Sequence, residues 1–433
     1  MLSKPFSVSF FLSIFVLPCV FGHVELGRKV NLSARETESE NSSETYVVLF
    51  DAGSSGTRVH VFRFDENIDL LQIDGQLEIY AKVSPGLSAY AENPQEAASS
   101  IVPLLEKAVN AIPENLRSQT PVKLGATAGL RLVGEEKSEK ILEVVAMNYL
   151  LGHLGEEYSQ TVGIIDLGGA SVQMAYAISA QAVENAPRTG EQYITEHHLK
   201  GTNYYLYVHS YLSYGQDAAR AEILKSTNDS VNYCILSGYN GTYIYNGAIY
   251  NTRSSSTGSN YKKCKTNVLK ALNVNAKCEV KNCTFNGVWN GGGGAGQDKL
   301  YLASAFFYVA SDDNIIDRNA QSGELTPAEF KRAAISACAL SSLEEARAKY
   351  PNAWSSNLPY LCMDLVYQYT LLTTGFGLSD EKEVTVIDKV KYGNFYVEAK
   401  WPLGNAIETA SASPSTKLEV KNMYQFWSHA YTQ

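Results

Sequence analysis

The chain has 433 residues, 45% of them hydrophobic, which allows one large unit with substantial cores. Its formal net charge of -9 and pI near 5.4 argue against broad binding to nucleic acid or to acidic membranes. An acidic protein that handles an anionic substrate needs local compensation, so the informative places are those where backbone N–H groups and cations gather.

Met1 to Gly22 carries one Lys, an apolar core from Phe6 to Phe21 interrupted by Pro18, and small residues near its end, which fits a secretory signal cleaved near Gly22. An uncleaved membrane anchor is the alternative, disfavoured because a span needs about 20 apolar residues and Pro5 and Pro18 shorten this one. No later segment is long and apolar enough to cross a membrane, so a secreted, soluble product is expected. His23 to Thr45 is polar and rich in Ser and Glu, which predicts a flexible linker over residues 23–45.

Val47 to Phe64 reads VVLFDAGSSGTRVHVFRF. An apolar strand ends at Asp51, placed to face a metal, and a second strand resumes at Val59. In the turn, Gly53 and Gly56 let backbone N–H groups approach an anion, Ser54, Ser55 and Thr57 add hydroxyls, and Arg58 adds a planar cationic fork. No Gly-Lys-Ser/Thr follows, so this is a hairpin cradle rather than a helix-nucleating nucleotide loop. Asn93-Pro94 opens a helix through about Ile112, kinked by Pro103. Val122 to Ala126 is a short strand, and the apolar spacing predicts one continuous helix over Glu135 to Leu151, stopped at Gly152.

The hairpin design then returns at Gly163 to Ala177, GIIDLGGASVQMAYA. Asp166 ends the strand, Gly168, Gly169 and Ala170 make the turn, and Ser171 and Gln173 begin the returning strand. One Asp-x-Gly turn is usually only a β-turn. Two matched hairpins point instead to a grip on a polyphosphate and its metal from both sides. Further on, Tyr204 to Tyr214 spaces its aromatics like one face of a helix, with His209 a packing residue. The Asn290 to Gly294 loop, NGGGG, is too flexible in composition to claim alone as a cradle. Of seven cysteines, Cys19 leaves with the signal. The other six lack the C-x-x-C spacing of a zinc site and are read as disulfides; sequence neighbours suggest Cys234 with Cys264, Cys278 with Cys283 and Cys338 with Cys362, although six cysteines allow 15 connectivities. Glycosylation sequons stand at Asn31, Asn41, Asn228, Asn240 and Asn282.

Together DAGSSGTRVHVF, GATAGLR (Gly125 to Arg131), NYLLG, IDLGGASVQMAY, FNGVWNGGGG, YLCMDLVYQYTLL and WPLGNAI resemble the apyrases, the nucleoside triphosphate diphosphohydrolase family, and most of all their soluble plant members. The resemblance covers nearly all of the chain after the leader. It implies an α/β fold of two actin/ribonuclease H-like lobes with the nucleotide in the cleft between them. Lobe one would span 46–162, completed by 400–433, and lobe two 163–399. It also implies hydrolysis of nucleoside tri- and diphosphates to the monophosphate with Ca2+ or Mg2+, by a monomer without nucleic-acid partners. Asp51 and Asp166 would hold the metal through water, the Gly53–Arg58 and Gly168–Ser171 segments would bind phosphate, and Ser171 and Gln173 would orient the attacking water. Thr127 would lie near the transferred phosphate, with a plain turn hydroxyl the equal alternative, and the 290–294 loop would lie beside the cleft. Phe307 or Tyr308 would stack on the base, with core packing the equal alternative.

The sequence departs from the family at one place. After Gly-Leu-Arg the apyrases have a helix, then a strand ending in a turn whose Glu is the general base, and only afterwards the Asn-x-x-Leu-Gly helix. Here Glu135 to Val145 runs straight into Ala146, Met147 and Asn148, so roughly one strand-and-crossover unit of about 30 residues is missing. In the actin-like order the lost strand is the last parallel one of its sheet, so its loss bares an edge beside Val122–Ala126 without splitting the sheet. Glu135 and Glu136 begin a helix, where the dipole suits carboxylates without a catalytic role. Impaired turnover is expected, with a non-catalytic nucleotide-binding protein as the alternative. The related exopolyphosphatases share both hairpins but are typically cytosolic.

Overall fold

The computed structural model describes residues 27–28, 44–53, 56–90, 93–126, 135–187, 193–227 and 231–412. The leader, Ser54, Ser55, Thr127 and the sequons at Asn31, Asn41 and Asn228 lie outside these. Two sheets are built on one plan. In the first, β1 (Thr45–Gly53) and β2 (Gly56–Phe64) form an antiparallel hairpin. β3 (Ile79–Val83) pairs antiparallel with β2, and β4 (Val122–Ala126) runs parallel beside β1.

The second sheet repeats this with β5 (Gly163–Leu167), β6 (Ser171–Ile178), β7 (Ile194–Leu199), β8 (Thr202–Leu212), β9 (Leu300–Ser304), β10 (Ser322–Leu325) and β11 (Val384–Ile387), in the order β10-β11-β9-β5-β6-β8-β7. Here β9 runs parallel beside β5, and a further parallel strand, β11, runs beside β9. The first sheet has no counterpart of β11 among the described residues, and β4 is its edge, with Leu124 55% exposed.

Helix α1 (Pro94–Ser100) lies against α2 (Val102–Ala111), and α2, α3 (Glu135–Leu151), α4 (Gln216–Lys225), α5 (Ala305–Asp312), α6 (Leu361–Thr370) and α7 (Trp401–Ser411) pack around these sheets. Val47 and Leu49 point to one face of β1 and Val48 and Phe50 to the other, and all four are buried. This is why that strand reads as an unbroken apolar run. Val48 and Phe50 meet Leu104 and Ala108 of α2. Val47 and Leu49 share a core with Ile141, Val145 and Met147 of α3, with Leu403, Ala406 and Ile407 of α7, and with Ala175, Tyr204, Leu206 and Val208 of the second sheet. The pair α3 and α7 is therefore a layer common to both sheets. Beyond the second sheet, Tyr176, Tyr207 and Tyr211 face α4 and α6 in a third core.

The helix predicted over Glu135 to Leu151 has those bounds and ends on Gly152 at φ 84. Asn93 caps α1 through an oxygen that accepts from the Glu96 N–H at 3.2 Å. The expected kink is a break at Ile101, which separates α1 from α2 with Pro103 in the first turn of the latter. Tyr204 to Tyr214 is not a helix but mostly strand β8. Because β8 is buried on both faces, Tyr204 faces one core and Tyr207 and Tyr211 the other. Their three- and four-residue spacing therefore imitates a helical stripe, while Tyr and Val themselves favour strands. Gly27–Arg28, inside the stretch expected as linker, pairs parallel with Lys391 and Tyr392. The three disulfides join the neighbours Cys234–Cys264, Cys278–Cys283 and Cys338–Cys362.

The helices α3 and α7 touch at Gly404, where an added Cβ would lie 1.9 Å from the Leu142 carbonyl oxygen. Backbone cannot yield as a side-chain tip can. Gly404→Ala should therefore cost about 3 kcal/mol in urea unfolding, at the upper end of ordinary overpacking. A midpoint equal to that of the parent protein would show that the helix crossing is not tight.

Candidate functional site

Each hairpin places its aspartate at the same position relative to its turn. Asp51 lies opposite Arg58 across β1 and β2, and Asp166 lies opposite Gln173 across β5 and β6. Arg58 Nη1 donates to Asp51 Oδ2 at 3.2 Å, so this arginine is committed to the aspartate. On the other hairpin, Lys140 of α3 donates to Asp166 Oδ2 at 2.5 Å and to the Glu143 carboxylate at 2.9 Å. In both aspartates the remaining oxygen, Oδ1, is buried without a hydrogen-bond partner. Two buried, unpartnered carboxylate oxygens fit a cation.

Among the described residues no three or more His, Cys, Asp or Glu side chains converge as a metal cage. A divalent ion here would be held by two carboxylates with water and phosphate oxygens filling the rest, as is usual for Mg2+. Burial works against the Lys140 charge, but Glu143 and Asp166 outweigh it and hold the ammonium well above the ordinary lysine value. Burial raises the Glu143 carboxyl, with Lys140 opposing. Neither residue stands out in the sequence. The signal that could have found them is their place in the first turns of a helix that docks beside Asp166.

The second turn is fixed by the start of α4. The Gln216 N–H donates to the Gly168 carbonyl at 2.8 Å, the Asp217 and Ala218 N–H groups to that of Gly169 at 2.9 and 3.0 Å, and the Ser213 N–H to that of Ala170 at 3.0 Å. In a trans peptide C=O and N–H point opposite ways. Tying down these three carbonyls therefore turns the N–H groups of Gly169 and Ala170 away from α4 and that of Ser171 away from Ser213. Gly215 allows the approach, since a Cβ there would come within 2.3 Å of the Ser171 nitrogen. Gln173 Nε2 donates to Ser171 Oγ at 2.5 Å and to Ser210 Oγ at 3.2 Å, and both Ser171 and Gln173 are buried. Thr57 is fully buried and its hydroxyl has no partner. At Gly56 an added Cβ would meet Lys82 Cε at 2.5 Å and the Val83 oxygen at 2.6 Å, so β3 closes on that side of the first turn.

Next to the second turn is a cavity of about 420 Å³ lined by Gly168, Gly169, Arg220, Tyr308, Trp354 and Asp364, among others. Phe307 is buried in the core, whereas Tyr308 is 56% exposed, so of the two candidates for stacking it is Tyr308 that faces the cavity. Trp354, 72% exposed, also lines it and was missed in the sequence reading, because one Trp in a loop carries no periodicity. The floor is a polar network. Arg220 grips Asp364 with Nε and Nη2 at 2.8 and 2.5 Å, Gln216 donates to the same carboxylate at 2.8 Å, and Gln368 holds Gln216 at 2.9 Å.

The glycine loop 290–294 packs elsewhere. Gly291 to Gly294 all have positive φ, the Tyr176 hydroxyl donates to the Asn290 carbonyl and accepts from the Gly293 N–H, and a Cβ on Gly291 would meet the Tyr176 hydroxyl at 2.2 Å. Those glycines answer to backbone conformation and close packing. His209 is buried between the rings of Tyr193 and Tyr211, as expected of a packing residue.

Arg220→Met should destabilise by about 3–5 kcal/mol because it strands the buried Asp364 charge, and Arg220→Met with Asp364→Leu should recover most of that loss. Equal losses in the single and double variants would contradict this. Asp313, beneath the same cavity, has both carboxylate oxygens buried and unpartnered, and burial, with Asp364 and Asp312 adding, raises its carboxyl well above the ordinary value. The folded state therefore holds this proton more tightly than the unfolded state, so the residue's cost to stability grows as pH rises above about 4. Asp313→Asn should be more stable than the parent at pH 7, and that advantage should vanish below about pH 4 in a series of urea titrations.

The chain is matched by the GDA1/CD39 (nucleoside phosphatase) family in two segments, residues 37–147 and 144–422, which meet within α3. It is 50% identical over 401 residues to a probable apyrase 2 of Oryza sativa subsp. japonica, covering 84% of this chain and 86% of that one. It is 44% identical over 436 residues to a nucleoside-triphosphatase of Pisum sativum, covering 93% and 96%. With apyrase 1 of Arabidopsis thaliana the identity is 47% over 404 residues, covering 85% and 86%. In three dimensions it is similar to a nucleoside triphosphate hydrolase from Neospora caninum, with a TM-score of 0.55 at 12% identity over 90% of this chain and 96% of the other. Two hairpin-bearing sheets of one plan thus form the α/β actin-like fold, and the chain belongs to the GDA1/CD39 nucleoside phosphatase family of phosphohydrolases.

Proposed function

We propose that this chain is a secreted apyrase-type enzyme that hydrolyses nucleoside tri- and diphosphates to the monophosphate with Ca2+ or Mg2+, at a turnover reduced by the missing general base. The observation that carries the reading is the pair of matched hairpins, each offering an unpartnered aspartate oxygen, with the second turn's N–H groups aimed away from α4. The polyphosphate would lie on the backbones of Gly53–Arg58 and Gly168–Ser171, with Thr127 near the transferred phosphate. Tyr308 and Trp354 offer aromatic surface for the base, above a floor stiffened by Arg220 and Asp364. Asp51 and Asp166 would hold the divalent ion through water. When bound, the ion would neutralise charge on the phosphates.

Ser171 and Gln173, bonded to each other on β6, are suited to orient a water but not to take its proton. Positioning and electrostatic stabilisation therefore remain, while general-base catalysis is lost. A second reading, nucleotide binding without turnover, is favoured by the bare β4 edge where the base-bearing strand would pair. Secretion is supported by the leader sequence, and glycosylation by the exposure of Asn240 and Asn282. No helix among the described residues is long and apolar enough to cross a membrane.

Phosphate release from ATP and ADP with Ca2+ or Mg2+ tests the reading beside a version with the missing segment restored. The chain as it stands should be slower by about 100-fold or more, the lower end of what a general base contributes. Equal rates would show that another residue acts as the base, and no release even from the restored version would remove the enzymatic reading. Asp51→Asn with Asp166→Asn should abolish binding of a non-hydrolysable triphosphate in the presence of Ca2+.

A further inference from the structure

In this chain, one of the two aspartates that would face a divalent ion is already paired with a lysine. Lys140 sits in the helix that runs unbroken across the junction, and its ammonium lies 2.5 Å from Asp166 Oδ2 and 2.9 Å from Glu143. The side chains of Lys140, Glu143 and Asp166 are 16%, 18% and 7% exposed, so the cluster is largely screened from solvent. We propose that Lys140 is a built-in cation of the second phosphate hairpin, which competes with divalent metal for Asp166 and leaves the chain with weak metal affinity. The inference rests on the divalent site proposed above and adds the residue that tunes it.

A dication approaching Asp166 Oδ1 meets a fixed positive charge on the far side of the same carboxylate. At an effective dielectric of about 20, a unit charge at such range weakens a dication's binding by well over tenfold. The lysine also has its own anchor. Glu143 is three residues on, on the same face of α3, and holds the ammonium in place whether or not Asp166 is engaged. Arg58 stands in the corresponding place on the first hairpin but is longer-ranged, at 3.2 Å, and bonds Asp51 across the strand pair. Lys140 differs in coming from a helix outside its hairpin, so its position depends on how α3 docks.

Calcium titration calorimetry on the full chain without nucleotide provides the test, with Lys140→Met, which keeps length and loses charge, and Lys140→Arg, which keeps charge. The parent and Lys140→Arg should bind Ca2+ with a Kd weaker than about 1 mM, the upper end for weak calcium sites. Lys140→Met should bind at least about tenfold more tightly, and Ca2+ should raise its melting temperature more than that of the parent. Rescue of a poorly folding Lys140→Met by Ca2+ would support the proposal in the same way. A parent Kd below about 1 mM would overturn it without any variant. Equal measurable affinities in parent and Lys140→Met would overturn the role of Lys140 while leaving the divalent site standing. An absence of Ca2+ binding in both the parent and Lys140→Met would overturn the site and the inference together.

Discussion

The structure depends on the crossing of two helices. α3 and α7 approach so closely at Gly404 that the Leu142 carbonyl leaves no room for a side chain, and their outer faces are the floor of both sheets. Ile141, Val145, Leu403 and Ile407 bury apolar surface of the first hairpin and of the second sheet in one core. Whatever fixes this pair fixes the relation of the two hairpins, because each hairpin's inner face rests on the shared core. The junction at which the proposed missing unit would have stood falls inside α3, where the apolar stripe stays in register. Among the described residues β4 is a sheet edge, a position that would tolerate an absent neighbour better than a central strand.

Charge in the site follows from the same packing. The net charge of the chain is negative, yet each aspartate of the hairpins has a cation on one oxygen: Arg58 from its own hairpin, Lys140 from α3. The polarity of the second turn is set less directly. The free N–H groups at the start of α4 are spent on the turn's carbonyls, and planarity of the peptide carries that polarity through to the turn's outward N–H groups. A glycine at 215 is the steric condition for it.

Much of this was legible in the sequence. Both hairpins and the bounds of α3 follow from strong local patterns: an apolar run ending in Asp-x-Gly and a stripe of period 3.6. The even cysteine set pointed to disulfides, and the pairs formed are those between sequence neighbours. β8 was not legible, because burial on both faces puts aromatics at 204, 207 and 211 and mimics helical spacing. Lys140, Glu143, Arg220 and Trp354 were invisible for another reason. Lys140 and Arg220 become meaningful only through Asp166 and Asp364, far away in the chain, while Glu143 matters through Lys140 and Trp354 through the cavity it lines. The glycine run 291–294 illustrates the converse, a conspicuous local signal whose causes are positive φ at all four positions and, at Gly291, the approach to Tyr176.

On the proposed function, the two hairpins jointly hold a nucleotide whose base lies in the cavity beside the second turn. The decisive observation would be a crystal structure with a non-hydrolysable ATP analogue. Phosphate density should bridge the Gly53–Arg58 and Gly168–Ser171 backbones, with the base against Tyr308 or Trp354. Phosphates touching neither hairpin, or a base bound outside that cavity, would contradict it.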